Sequence, residues 1–492
     1  MNIILNIKEL LSQKNLLGRS ALAGSILTAG SLAENGLRFI RNIVLARLLA
    51  PEAFGLMATV LAAVAFVEAF SEVGLRQSVI QNKNGADKDF LNINWWISSM
   101  RGLFLFTAGY FAAPLICDFY RTPESVLIVR TAFLAILFAG LMSPKVHVLE
   151  KEMKFKQWVY LMQGSGVLGI LITIVSAFIL NNVWALVFGY VAESCIRLLL
   201  SFIFFPIRPR LNLNPVFLKQ IVDFSKRMFG LPILAMICLQ VDIFVIGKVL
   251  SMWQLGIYSL ARGLSEVPNT FLSKIIHPIV LPALSSMQDD KYKIKSSLLT
   301  LTKWTSVFGM PLFAFLAIFA EPILSIVYGV QYGIAALPFA ILCVANLIAL
   351  CSSYIVNMYI AIGQPNIHRI ASLARTVLLL SLIYPATKHF GLAGSAVAVL
   401  ASMSLLLIIQ VVYLKKLLGI QYHEYIESWA EGIAMCLIVV IPGILMKILV
   451  ISETIWHLLI GILLCLTAWF LGINKILKLY RKNSICLETI KT

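Results

Sequence analysis

Apolar positions along this chain come in long blocks, and polar positions are confined to short stretches between them. A helix needs about 20 apolar residues to cross the hydrocarbon core of a bilayer. At that length the pattern predicts spans near 20–47, 53–73, 94–117, 124–143, 158–180 and 183–205. A second set follows near 222–248, 253–281, 297–320, 334–362, 366–387 and 391–414, with two more near 428–450 and 454–474. The fold class predicted is an all-α integral membrane protein with about 14 transmembrane helices.

Composition agrees. Of 492 residues, 60% are hydrophobic and 13% charged, against roughly 25% charged in soluble proteins. Too few charges are present to cover a water-facing surface. The net charge of +17 would suggest nucleic acid as a partner, but the basic residues sit in alternate connectors rather than on a face interleaved with aromatics. They cluster in 74–93 (Arg76, Lys83, Lys88), 144–157 (Lys145, Lys151, Lys154, Lys156), 207–227 (Arg208, Arg210, Lys219, Lys226, Arg227), 285–303 (Lys291, Lys293, Lys295, Lys303), Lys415–Lys416 and the C-terminal tail. The intervening connectors are short and nearly free of Lys and Arg. By the positive-inside rule both termini face the cytoplasm, which requires an even number of spans. Residues 1–19 carry Ile3, Ile4, Ile7, Leu10 and Leu11 at helical spacing with lysines among them, suiting an amphipathic helix on the membrane surface. The eight cysteines form no CxxC or Cys/His cluster, so neither disulfides nor a metal site is expected.

The chain repeats itself. Val44–Met57 reads closely against Val245–Tyr258 at an offset of 201 residues, with Arg47 matching Lys248 and Gly55 matching Gly256. A weaker echo links Asn182–Val187 to Phe390–Ser395. Six spans per repeat give both halves the same orientation, so the expected architecture is two six-helix bundles in a parallel pseudo-twofold repeat plus two C-terminal helices. The boundaries follow: 20–206 for the first bundle, 207–418 for the second, and 419–492 for the last two spans and a basic tail. Gly230-Leu-Pro232 and its counterpart Ala29-Gly30-Ser31 mark either moving breaks or static kinks in the first span of each half.

Charges inside spans usually face protein or a wet cavity. Glu34, Arg38 and Arg41 share one face of the first span at i, i+4 and i+7, and Arg262, Glu266 and Asn269 repeat the spacing on the eighth. Arg375 lies near the middle of the eleventh span, and Asp242 occupies the position equivalent to Arg41. Glu193 and Arg197 read as a self-neutralised structural pair. Arg101, Arg130, Arg47, Lys248 and Lys274 are placed to snorkel toward an interface. A cavity with surplus arginine favours a multiply anionic substrate such as a diphosphate, which guanidinium grips with a rigid fork of donors. No HExxH, GxSxG, Walker A or GxGxxG motif is set in a polar domain, and the outward connectors are too short for a catalytic domain, so no enzyme activity is expected.

The run Arg41-Asn-Ile-Val-Leu-Ala-Arg-Leu-Leu-Ala-Pro-Glu-Ala-Phe-Gly55 and the stretch Phe70-Ser-Glu-Val-Gly-Leu-Arg76-Gln-Ser-Val-Ile-Gln81 resemble the polysaccharide flippases of the Wzx type, within the multidrug/oligosaccharidyl-lipid/polysaccharide exporter superfamily. The resemblance implies transfer of an undecaprenyl-diphosphate-linked oligosaccharide across the bacterial cytoplasmic membrane by alternating access, for O-antigen, capsule or exopolysaccharide synthesis. It gives Arg38, Arg41, Arg262 and Arg375 the diphosphate, and it admits coupling to a proton gradient, a sodium gradient or the membrane potential, with Asp242 and Glu266 as candidate coupling groups. No cofactor is implied. Membrane lipids are implied partners, with polysaccharide polymerase and chain-length machinery as further candidates. The alternative is a cation-coupled drug or metabolite exporter of the same fold.

Overall fold

The computed structural model describes residues 16–71, 74–210, 214–228, 231–288, 290–449, 459–472 and 474. They form helices and short turns, with no strand among the described residues. In chain order the helices are α1 (Leu16–Leu48), α2 (Pro51–Ser71), α3 (Leu75–Gln81), α4 (Lys88–Tyr120), α5 (Val126–Leu141), α6 (Lys145–Lys151), α7 (Phe155–Leu180), α8 (Trp184–Phe204) and α9 (Pro215–Met228). There follow α10 (Leu231–Val249), α11 (Met252–Ser285), α12 (Lys291–Ile318), α13 (Ala320–Val327), α14 (Ala336–Ala361), α15 (Pro365–Leu418), α16 (Tyr422–Leu449) and α17 (Leu459–Gly472). The chain divides into two compact units, one ending at Ser259 and the other beginning at Leu260.

Helix is what a lipid-embedded backbone must form, because its N–H and C=O groups find no water there. Among the described residues nine helices are long and apolar enough to cross a membrane. One of them, α15, runs 54 residues and is broken at Gly391 (φ 58°, ψ −139°), a conformation open to glycine. The break falls where the hydropathy pattern separates 366–387 from 391–414, so α15 contributes two lengths rather than one. Thr387 and Ser395 exchange a 2.7 Å hydrogen bond across the bend. Other helices start and stop by ordinary chemistry. Asp87 caps α4 by accepting from Asp89 N at 2.8 Å, Asp290 caps α12 by accepting from Tyr292 N at 3.1 Å, and Gly419 closes α15 with φ 65°.

The seventh span was expected over 222–248; residues 215–228 (α9) and 231–249 (α10) are helical there, and residues 229–230 between them lie outside the described residues. Phe217, Leu218 and Ile221 of α9 pack on Leu75, Val79, Phe90 and Leu91. Lys219, Gln220, Asp223 and Lys226 fall between these apolar positions, and a stripe so interrupted suits an interface rather than the bilayer interior. The predicted amphipathic segment at the N-terminus, Gly230 of the proposed break, the start of the last span and the basic tail lie outside the described residues.

Within the second unit one cluster joins Val280 and Leu284 of α11, Ile294 and Leu298 of α12, Tyr354, Ile355, Met358 and Tyr359 of α14, and Leu414 and Leu418 of α15. Lipid offers no hydrophobic drive to helix association, so close packing and polar seams must hold these helices. Gln410 supplies one such seam: its Oε1 accepts from Ser352 Oγ at 2.8 Å, and its backbone carbonyl accepts from Tyr359 Oη at 2.6 Å.

Candidate substrate site

In the first unit, α1 carries Glu34, Arg38 and Arg41 on one face, as their spacing predicts. Arg38 Nη2 lies 2.9 Å from Glu34 Oε1 on its own helix and 2.8 Å from Glu193 Oε1 on α8. Arg197 Nη2 also reaches Glu193 Oε1, at 2.7 Å, and Arg197 Nε donates to Ser165 Oγ on α7 at 3.3 Å. Glu193 and Arg197 are therefore not a private pair, as their i, i+4 spacing suggests; Glu193 is shared with Arg38 across 155 residues of sequence. Arg41 donates to the uncharged Asn42 Oδ1 at 3.0 Å. The cluster holds three guanidiniums and two carboxylates, so positive charge is left over.

Helix α7 makes room for this network. A Cβ on Gly166 would stand 2.8 Å from Glu34 Oε1, and one on Gly169 would stand 2.6 Å from Glu193 Cβ. Small residues let helices approach until polar side chains can meet between them. The run Gly164-Ser-Gly166-Val-Leu-Gly169 was the available signal, and a reading centred on charged residues passes over it. On the same interface, Gln163 and Ser31 are in hydrogen-bond contact at 3.2 Å.

Asp242 on α10 is 4% exposed. Its Oδ2 accepts from Tyr258 Oη on α11 at 2.9 Å, and its Oδ1 accepts from Ile243 N at 2.9 Å. In the second unit, Arg262 Nε pairs with Glu266 Oε1 at 2.9 Å, along the helix face that the sequence indicates. Beside them Asn346 Nδ2 of α14 donates to Ser265 Oγ at 3.1 Å, and Ser273 Oγ donates to Asn269 Oδ1 at 3.0 Å. Arg375 is half-buried on α15, two turns beyond His368. The four candidate arginines thus fall two in each unit.

Several other charges are anchored at helix ends. Lys248 Nζ donates to Phe119 O at 2.8 Å and sits 4.3 Å from the Phe119 ring centroid, while the Arg130 guanidinium lies 4.3 Å from that of Tyr110, as snorkelling side chains do. In the connectors, Arg76 Nη2 holds Glu150 Oε2 at 2.6 Å and Trp158 Nε1 donates to Glu150 Oε1 at 2.9 Å. Burial disfavours the Glu150 carboxylate, but His147, whose Nδ1 lies 3.6 Å from Oε1, and the hydrogen-bonded Arg76 overcome it and bring the carboxyl down to about 2. Arg76, which stands in the motif after the second span, therefore ties the α3 connector to α6.

Residues 44–337 match the family described as "Polysaccharide biosynthesis protein". The sequence is 24% identical to an uncharacterized membrane protein in the cps region of Klebsiella pneumoniae over 90% of this chain and 92% of that one. It is 24% identical to the lipopolysaccharide biosynthesis protein WzxC of Escherichia coli (strain K12) over 80% of each, and 25% identical to the succinoglycan biosynthesis transport protein ExoT of Rhizobium meliloti over 65% of each. Among solved structures, the lipid II flippase MurJ in an inward closed conformation superposes with a TM-score of 0.72 at 16% identity, covering 92% of this chain and 99% of that one. An inward-facing multidrug resistance MATE family transporter of the MOP superfamily superposes with a TM-score of 0.60 at 14% identity, covering 78% and 94%. These likenesses establish the fold.

Proposed function

The chain belongs to the polysaccharide biosynthesis protein family, and on that footing we propose that it flips polyprenyl-diphosphate-linked oligosaccharide units across the bacterial cytoplasmic membrane. Its relatives' names speak of transport and of lipopolysaccharide and glycan biosynthesis, and it is a transporter rather than an enzyme. The observation that carries the reading is Arg38 at 2.8 Å from Glu193 and 2.9 Å from Glu34, beside Arg41. A cluster inside the membrane with net positive charge suits a diphosphate, and Arg262 and Arg375 add the second unit's contribution. Fourteen spans, cytoplasmic termini and two like-oriented six-span repeats complete the scheme, in which the repeats rock to alternate access while the polyprenyl tail stays in lipid.

Coupling to a proton or sodium gradient runs through the two carboxylates. Protonating Glu266 would release Arg262, and protonating Asp242 would alter its bond with Tyr258. The membrane potential alone is the other drive. Polymerase and chain-length proteins are the expected recipients of the flipped unit.

The test is to follow lipid-linked oligosaccharide in cells with and without the protein, reading the leaflet by accessibility to an enzyme added from outside. Accumulation on the cytoplasmic side in its absence, reversed by the wild type, is expected. Unchanged leaflets in a strain without another flippase would overturn flipping and favour drug export.

A further inference from the structure

Residues 205–210, after α8, are not helical, yet they are fastened at three points. Ser143 Oγ donates to Phe205 O at 2.7 Å, Lys145 Nζ donates to Pro206 O at 2.6 Å, and Asn92 grips Arg210 from both sides. Arg210 N donates to Asn92 Oδ1 at 2.7 Å, while Arg210 O accepts from Asn92 Nδ2 and, at 3.1 Å, from Trp96 Nε1. Asn92 is 8% exposed, so this strap is anchored to the protein interior. It closes one side of a pocket of about 440 Å³, lined among others by Lys88, Asp89, Lys145, Arg208 and Arg210.

Four cations thus stand against one carboxylate. Among the described residues none of the four forms an ion pair. Like charges gathered without acidic partners repel one another, and a strap pinned so as to gather them calls for an anion.

The depth of the pocket indicates which anion. Lys88 begins α4, Lys145 follows the end of α5 at Leu141, and Pro206 follows the end of α8 at Phe204; α4, α8 and the segment Pro123–Leu141 that contains α5 are each long and apolar enough to span. The pocket therefore lies where membrane-spanning helices emerge, at headgroup level. Trp95 and Trp96 stand there edge to face at 5.1 Å, and Trp95 Nε1 donates to Leu141 O at 2.9 Å. Indoles favour that same interface, apolar body inward and N–H outward. Ile203 and Phe204, just before the strap, are 68% and 57% exposed, an apolar surface on which acyl chains can lie.

We propose that this pocket binds the phosphodiester headgroup of an anionic phospholipid. Arg208 and Arg210 offer forked donors to the phosphate oxygens, Lys88 and Lys145 supply point charge, and Asp89 is left to accept from a headgroup hydroxyl. The site is separate from the arginines assigned to transport, and it stands whether or not the flipping assignment does.

The test uses the full-length chain in detergent with three probes: phosphatidylglycerol, phosphatidylcholine and inorganic phosphate. Native mass spectrometry reads retained lipid, and thermal unfolding reads stabilisation. Phosphatidylglycerol should be retained and should stabilise more than phosphatidylcholine. R208Q/R210Q should lower that retention by at least roughly tenfold, whereas K291Q/K293Q, on another basic connector, should leave it unchanged. Both variants change exposed side chains, and a wild-type-like unfolding temperature in phosphatidylcholine will show that each has folded. Equal loss from both variants would reduce the effect to general surface charge. Equal stabilisation by inorganic phosphate would assign the pocket to a soluble anion. Retention unaffected by R208Q/R210Q would place the lipid elsewhere. Any of these three results overturns the proposal.

Discussion

Gly55 and Gly256, which occupy the same position in the two copies of the repeat, are in reciprocal contact. A Cβ on Gly55 would overlap the carbonyl of Met252, four residues before Gly256; one on Gly256 would overlap the carbonyl of Pro51, four residues before Gly55. Each would also stand 3.0 Å from the other glycine's backbone nitrogen. The first turns of α2 and α11 thus meet backbone to backbone about a local twofold relation. What the sequence shows as a 201-residue echo is, at this point, a physical contact between the two copies.

The contact predicts matched costs. Gly55→Ala and Gly256→Ala should each destabilise by about 1–3 kcal/mol, because the obstructing atoms are backbone and cannot swing aside. The double variant should cost less than the sum, since the first substitution already parts the helices. Gly36→Ala, where a Cβ would meet nothing within 4 Å, should be neutral or slightly stabilising through helix propensity. Thermal unfolding of the four purified proteins checks this.

Around Arg38 the expected losses differ by kind. Arg38→Ala leaves Glu34 and Glu193 facing each other near Gly166, and should abolish leaflet transfer. It should also destabilise by about 1–3 kcal/mol, below the full cost of breaking a buried pair, because the Arg38 side chain keeps 32% exposure. Arg38→Lys, a point charge that cannot fork between two carboxylates, should retain protein in the membrane but lose roughly tenfold in transfer. Gly166→Ala should act through Glu34 and lower transfer, while Gly164→Ala, open on all sides, should not. Transfer normalised to membrane protein level separates these outcomes.

Glu150 predicts an acid limb. Its carboxyl, ordinarily near 4.5, is brought down to about 2 in the folded chain. A depressed carboxylate contributes stability that is fully present above its unfolded value and is lost as pH falls through the folded one. The unfolding temperature of wild type should therefore exceed that of Glu150→Gln by a constant margin, roughly 2–4 °C, above about pH 5. The margin should shrink between 4.5 and about 2. A pH series of melting curves on both proteins reads it.

Asp242 can be separated from the fold it sits in. Asn at this position can accept from Ile243 N through Oδ1 and donate from Nδ2 to Tyr258 Oη, whose hydroxyl can reverse its role, but it carries no charge to neutralise. Asp242→Asn should keep the unfolding temperature within about 1 °C and remove the response of transfer to an imposed ion gradient. Transfer in reconstituted vesicles, with and without the gradient, measures that response. An undiminished response would take the coupling role away from Asp242.

Much of this molecule is written locally, and locally is where sequence reads well. Glu34, Arg38 and Arg41 share a face because helical spacing demands it, and Gly391 separates two spans because the chain's hydropathy dips there. The partnership of Arg38 with Glu193 was not legible, since it depends on α1 and α8 meeting across α7 at Gly166 and Gly169. Helix α9 carries Phe217 and Ile221 at helical spacing, but their packing on Phe90 and Val79 is a long-range contact that hydropathy does not report. The strap from Phe205 to Arg210 left no trace at all: its anchors come from helix α4 (Asn92, Trp96) and from the turn between α5 and α6 (Ser143, Lys145), both distant in sequence.

The sharing of Arg38 between Glu34 and Glu193 also bears on how cargo departs. On the proposed assignment, a phosphate arriving at Arg38 must displace carboxylates that are tethered nearby at high effective concentration. They weaken capture, and they return as soon as the anion loosens its hold. A carrier that bound a diphosphate with bare arginines would become its reservoir; one whose arginines are already engaged has its eluent built in, and turnover is preserved at the expense of affinity.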